Sequence, residues 1–182
     1  MTLTARFFAF LALLFFLPAP AFSLDYSIVP GKGIIRFTSV APMETVKGET
    51  GETLGTVSFD PANLANARGT FSVNAASFKT GNRLRDRNMR NSFLEVARFP
   101  RITFDFKNVP GGSLANGTLT LHGVSLQKKI PVHVKWDKEG KTLSVKSDFA
   151  IQLSEFGIER PKILWLRLSD QVKVDVDLLL AP

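Results

Sequence analysis

His122 and His133 are the only imidazoles in the 182-residue chain, and the chain has no cysteine. A metal site of ordinary spacing needs three or four His, Cys or carboxylate ligands gathered by short motifs. His122 stands beside Gly123 in a turn block and His133 on the polar face of a strand, and neither has a spaced ligand partner. No metal site is expected, and His122 reads as a hydrogen-bonded turn residue. Covalent catalysis is equally unsupported, because Ser92 and Ser154-Glu155 lack a nucleophile elbow and a histidine partner. No catalytic residue is expected. The one dense polar cluster is Arg83, Arg85, Arg87 and Arg90 around Asp86. It could bind an anionic headgroup, or Asp86 could pair with Arg85 or Arg87 to tie its segment to the rest of the fold; the structural reading is preferred. Lys128-Lys129 reads as a solvated hairpin edge, and Gly123 and Gly157 as turns, bulges or close backbone approaches.

All of the arginine cluster but Arg83 lies in Leu84–Phe104, a stretch that changes character midway. It has no β-branched residue before Val96, and Asp86 precedes Arg90 by four, so a short charged helix is predicted. Phe99 is pushed towards an extended conformation by Pro100, after which Ile102, Phe104 and Phe106 alternate with Thr103, Asp105 and Lys107. The segment therefore reads as a helical insert returning into a β wall. Two adjacent large apolar residues, Phe93 and Leu94, make sense in such a segment only if at least one is buried. They are expected to plug one end of the fold, with the arginines facing solvent or an anionic membrane surface.

Elsewhere the period is two. Ile35 and Phe37, Val57 and Phe59, and Phe71 and Val73 alternate with polar neighbours, as do Leu119 and Leu121. Longer runs follow: Val124 to Trp136, Leu143 to Leu153 and Val172 to Leu180. Turn signals at Pro30–Gly33, Asp60-Pro61, Ala67–Gly69, Pro110–Gly112 and Glu139-Gly140 are spaced for hairpins, so the sheet is expected to be antiparallel. About eight strands, several near ten residues, favour closure into an all-β, eight-stranded antiparallel lipocalin-like barrel with a short helical insert, just wide enough for one small ligand. An immunoglobulin-like sandwich is disfavoured by the strand lengths and the insert. Alternation assigns the cavity lining to Phe37, Val57, Phe59, Phe71, Val73, Ile102, Phe104, Leu119, Leu121, Val132, Val134, Val145, Phe149, Val174 and Val176, with Phe93 added from the insert. A one-residue slip would turn a whole strand's set outward.

Residues 1–23 carry Arg6, an apolar run from Phe7 to Leu17 too short to span a bilayer, and small residues at Ala21 and Ser23. They read as a signal peptide cleaved near Ser23, leaving one barrel domain, 24–182, in the periplasm or secreted. The formal net charge of +7 is not interleaved with stacking aromatics, and an exported chain rarely meets nucleic acid, which is therefore excluded as a partner. Phe outnumbers the other aromatics, with 16 against two Trp and one Tyr, which favours an apolar interior over a wet recognition surface.

Lys79-Thr-Gly-Asn82 with Arg85-Asp86, then Phe93 to Pro100 and Ile102-Thr-Phe104, resembles the first signature block of the YceI-like family of exported lipid-binding proteins. Leu119-Thr-Leu-His-Gly-Val-Ser125 and Ser154-Glu-Phe-Gly-Ile158 resemble two later blocks in the same order. Asn88 stands where that family often has His, and Glu155 where it usually has Asp. The resemblance implies a lipocalin-like barrel whose interior takes up a polyisoprenoid chain, such as that of a polyprenyl quinone. The function expected is non-catalytic binding or carriage of an isoprenoid or other amphiphilic lipid, with no cofactor beyond the bound lipid and with homodimerisation left open. The competing reading is a barrel filled by its own Phe side chains and acting through its surface as a stress-related or interaction protein. A continuous internal cavity would separate the two.

Overall fold

The computed structural model describes residues 23–40, 44–61, 63–160, 162–163 and 166–182, with no account of the side chains of 161–167. The expected signal peptide lies outside the described residues, apart from Ser23. The elements are β1 (Leu24–Val40), β2 (Thr45–Thr50), β3 (Thr53–Asp60), β4 (Asn63–Asn74), the helix α1 (Arg83–Asn88), β5 (Arg101–Asn108), β6 (Leu114–Leu121), β7 (Val124–Pro131), β8 (His133–Asp137), β9 (Thr142–Gln152), β10 (Lys162–Ile163), β11 (Leu166–Arg167) and β12 (Gln171–Ala181). Ten strands make one antiparallel sheet in the order β7-β6-β5-β4-β3-β1-β12-β9-β8, with β2 also paired to β1; β10 and β11 form a separate hairpin.

The two ends of that order are consecutive in the chain. The run Val124 to Trp136, expected as one strand, divides at Val132, so that β7 pairs with β6 while β8 pairs with β9. One extended segment thus serves both edges, and the sheet curls round on itself. The Val132 amide donates to the Ser113 carbonyl at 2.8 Å, and the Ser147 hydroxyl donates to the Pro131 carbonyl at 2.6 Å, pinning the corner. In the same way β2 and β3 lie along the two halves of β1. Counted as continuous segments, the wall has the eight long members the alternation predicts.

Two expected turns are not turns. Pro30–Gly33 lies inside β1, where the pairing with β12 shifts register between Ile28 and Gly33, so its glycines make a bulge. Ala67–Gly69 lies inside β4, where Gly69 faces Val57 on one side and Phe106 on the other. A Cβ at Gly69 would collide with the Thr56 carbonyl, and one at Gly117 with that of Asp105. Phe106 sits between these two glycines, its ring stacked on Phe71 at 5.9 Å and on Phe104 at 6.1 Å. Glycine in these strands makes room for an aromatic ring on the neighbouring strand, a use of the residue that resembles a turn signal in the sequence.

Aromatic rings pack together at the base of the barrel and floor its interior. Tyr26 and Phe59 meet edge to face at 5.2 Å, Phe59 and Trp136 at 6.0 Å, and the indole N–H reaches towards the Tyr26 hydroxyl at 3.4 Å. Val57, Ala67, Phe106, Leu143, Leu178 and Leu180 complete one buried cluster there.

Candidate functional site

Above that floor the barrel is hollow. A cavity of about 570 Å³ runs through its interior, within the range of small-molecule sites and far larger than a water-sized void. Val172 and Leu178, six residues apart on β12, both face it, so it extends on the order of 20 Å along the strand at about 3.3 Å per residue. All sixteen residues named from alternation and from the insert lie on this wall: Phe37, Val57, Phe59, Phe71, Val73, Phe93, Ile102, Phe104, Leu119, Leu121, Val132, Val134, Val145, Phe149, Val174 and Val176. Every strand keeps its expected register. Several of them, including Phe149 and Val174, are only half-buried although they line the interior, and neither belongs to a buried cluster.

Other wall residues were not named from the sequence. Leu143, Ile151 and Leu178 continue the same alternating rows and could have been read from them. Phe78, Leu84 and Met89 belong to the chain around the insert, and Ile158 and Leu168 to the loop after β9, whereas Leu94, expected with Phe93 to plug one end, also lies on the wall. Neither region has a two-residue period to betray its inward face.

The insert is α1 followed by a wider π turn at Met89–Phe93. Asn82 caps α1 by accepting from the amides of Leu84 and Arg85. Asp86, 8% exposed, does not take the expected arginine partner; its carboxylate accepts from the Thr80 amide at 2.9 Å and the Thr80 hydroxyl at 2.6 Å. Arg85 in turn donates to the Thr80 hydroxyl and carbonyl and pairs with Glu44 at 2.5 Å. Asp86 therefore shapes the loop entering the helix, and Arg85 ties that loop to the chain before β2. Phe93 and Leu94 are both half-buried and pack with Leu119, Leu121, Phe156 and Ile158, so the insert covers one end of the cavity. Among the lining residues, only Asn82, Leu84 and Asn88 are exposed to solvent, and all three belong to α1 and its cap. The cavity opens beside this helix.

Three loops are stitched together around that end. His122 turns one ring nitrogen to the Phe156 carbonyl at 3.2 Å and the other to Glu95 at 3.3 Å, correcting the expectation that it has no carboxylate partner. Both facing atoms are acceptors, so a neutral ring donates to only one of them. Glu95 (φ 44°) and His122 (φ 51°) are both non-glycine residues in the left-handed region, which marks this contact as one the surrounding packing enforces. Lys128, expected as a solvated edge, reaches across the seam between β7 and the turn after β9 to Glu155 at 2.7 Å, and lies 5.8 Å from the Phe156 ring centre. Lys129 is exposed as expected, and His133 is exposed on the outer face. The Glu155 carboxyl is held below its ordinary range by the Lys128 hydrogen bond, and Glu95 is lowered chiefly by Arg98, with a smaller contribution from His122. These ion pairs work as fasteners. Among the described residues, no cluster of three His, Cys, Asp or Glu side chains is arranged to hold a metal ion.

A curled antiparallel barrel with one short helix at its open end and an apolar interior defines a lipocalin-like protein. The YceI-like domain model matches residues 26–180, and the chain belongs to that family. The protein YceI of Salmonella arizonae is 32% identical over 112 residues, which span 57% of this chain and 59% of that relative. Among solved structures, Burkholderia cenocepacia BcnA superposes with a TM-score of 0.74 at 21% identity, covering 84% of this chain and 98% of that one. A domain of Saccharophagus degradans described as polyisoprenoid-binding gives 0.69 at 17% identity, covering 86% and 98%. These likenesses establish the fold.

Proposed function

We propose that the protein is an exported, non-catalytic carrier that holds the chain of an isoprenoid or another long-chain amphiphilic lipid, such as a polyprenyl quinone, inside its barrel. The observation that carries this reading is the 570 Å³ cavity, walled by Phe, Leu, Ile and Val and opening at one end. Burying on the order of 500 Å² of hydrocarbon there is worth roughly 12 kcal/mol gross at about 25 cal/mol per Å². Association and chain ordering remove several kcal/mol of that. Useful affinity follows without any catalytic group. Discrimination among tails is limited to about 1–3 kcal/mol per methylene-sized change, so selection is by length and width. The polyisoprenoid-binding description of the Saccharophagus degradans domain supports the same class of ligand. The filled-barrel alternative requires the Phe side chains to close the bore, and they leave it open. Native mass spectrometry and organic extraction of the protein purified from the cell envelope test the proposal. The expected result is one lipid per chain; no recovered lipid, together with no uptake of added polyprenyl quinone, would reject it.

A further inference from the structure

The stretch of chain that carries the insert is rich in basic residues. Residues 79–101 carry seven basic side chains against two acidic ones, a net +5 of the chain's +7. The acids there are already engaged: Asp86 is buried against Thr80, and Glu95 is bonded to Arg98 and His122. Arg85 is likewise committed to Glu44. Arg83 and Arg87, by contrast, are exposed on α1, and no ion pair is formed by either among the described residues. Between them in sequence stands Leu84, 57% exposed and at the same time part of the cavity wall. A large apolar side chain held in water at the lip of an apolar bore, flanked by unneutralised guanidinium groups, matches a surface that is anionic and has hydrocarbon beneath it.

We propose that the α1 rim is a docking face for anionic phospholipid bilayers, with Arg83 and Arg87 on the phosphates and Leu84 reaching the acyl boundary, so that the bore opens against the membrane. The inference rests on the carrier reading and names where the cargo enters and leaves. Near an anionic leaflet each arginine contributes about 1 kcal/mol, or roughly fivefold in partitioning. Snorkelling side chains and one inserted leucine give reversible contact, as a carrier needs.

The test is co-sedimentation of the purified protein with vesicles of phosphatidylcholine, alone or with an equal share of phosphatidylglycerol. Binding is expected only to the mixed vesicles and is expected to weaken as salt is raised. Arg83→Gln with Arg87→Gln should lower partitioning by roughly thirtyfold while leaving the melting temperature and already bound lipid unchanged. Leu84→Ser should lower it several-fold, and raised salt should not restore it. Equal binding to both vesicle types, no binding to either, or wild-type partitioning by the arginine variant would overturn the docking face. A protein that yields lipid on extraction but ignores vesicles would refute docking and leave the carrier standing. One that docks as described but never yields or takes up lipid would refute the carrier.

Discussion

At the base of the barrel Phe59 is 2% exposed and Leu180 0%, locked into a cluster with Tyr26, Trp136 and Leu143. A few residues higher, Phe149 and Val174 point inward from the same kind of alternating strand, yet they stay half-exposed because the space in front of them is empty. Both regions draw on the same side chains and the same two-residue period. They differ in whether facing side chains meet: the base has Tyr26, Phe59 and Trp136 edge to face, whereas Phe149 and Val174 line the cavity and belong to neither buried cluster. Solid packing stabilises the fold at one end, and missing packing leaves a site at the other.

If that contrast is right, substitutions of similar size have opposite consequences in the two regions. Phe59→Ala should cost about 3–5 kcal/mol, as expected for a fully packed ring, and lower the melting temperature by roughly 10 °C. Phe149→Ala should cost only about 1 kcal/mol, since its cavity already exists. Thermal unfolding of both variants makes the comparison, and equal losses would mean that the bore is packed like the base. Val174→Phe sharpens it from the other side. Filling the bore should leave the melting temperature unchanged and lower affinity for an added polyprenyl quinone by at least about tenfold, the loss of on the order of 1.4 kcal/mol of contact; unchanged affinity would place the lipid elsewhere.

The insert should behave as part of the hollow end. Phe93→Ser with Leu94→Ser is expected to cost about 1–2 kcal/mol, because both are half-buried, and to speed lipid loss more than it lowers stability. Unchanged lipid retention would remove the insert's role as cover.

How much of this was legible in the sequence follows the same division. The inward register of every wall strand could be read because Val57 and Phe59, or Val174 and Val176, alternate with polar residues, and alternation fixes a face. It could not say which inward residues meet, so Phe59 at the floor and Phe149 in the bore looked alike. The break at Val132 was hidden because both halves of Val124–Trp136 keep one face apolar while changing partners. Gly69 looked like a turn because the ring it accommodates, Phe106, is far away in sequence. Asp86 looked like an ion-pair partner because Thr80, its true partner, contributes a backbone amide and a hydroxyl that no charge pattern reveals.

The smallest expected effect is on pH. With its folded pKa lowered by Lys128, Glu155 contributes stability that is fully present above the ordinary glutamate value and is lost as pH falls through the lower folded value. Asp175 is shifted the other way by the hydrogen bond and charge of Asp148 opposite it on β9, so its contribution fades as pH rises through its raised value. Because Glu155 is exposed and Asp175 is only partly buried, the changes are small. Glu155→Gln should flatten the acid side of the melting-temperature profile, and an unchanged acid limb would show that the Lys128 bridge does not fasten the seam.

The most direct test of a solid base beneath a hollow, lipid-holding bore is to place a reporter in the bore. With methyl-labelled protein, titration of a spin-labelled isoprenoid chain should broaden the methyl signals of Val174, Val176 and Ile102 first and leave Leu180 sharp. Broadening confined to outward-facing methyls, or spread evenly over the base and the upper wall, would contradict the account.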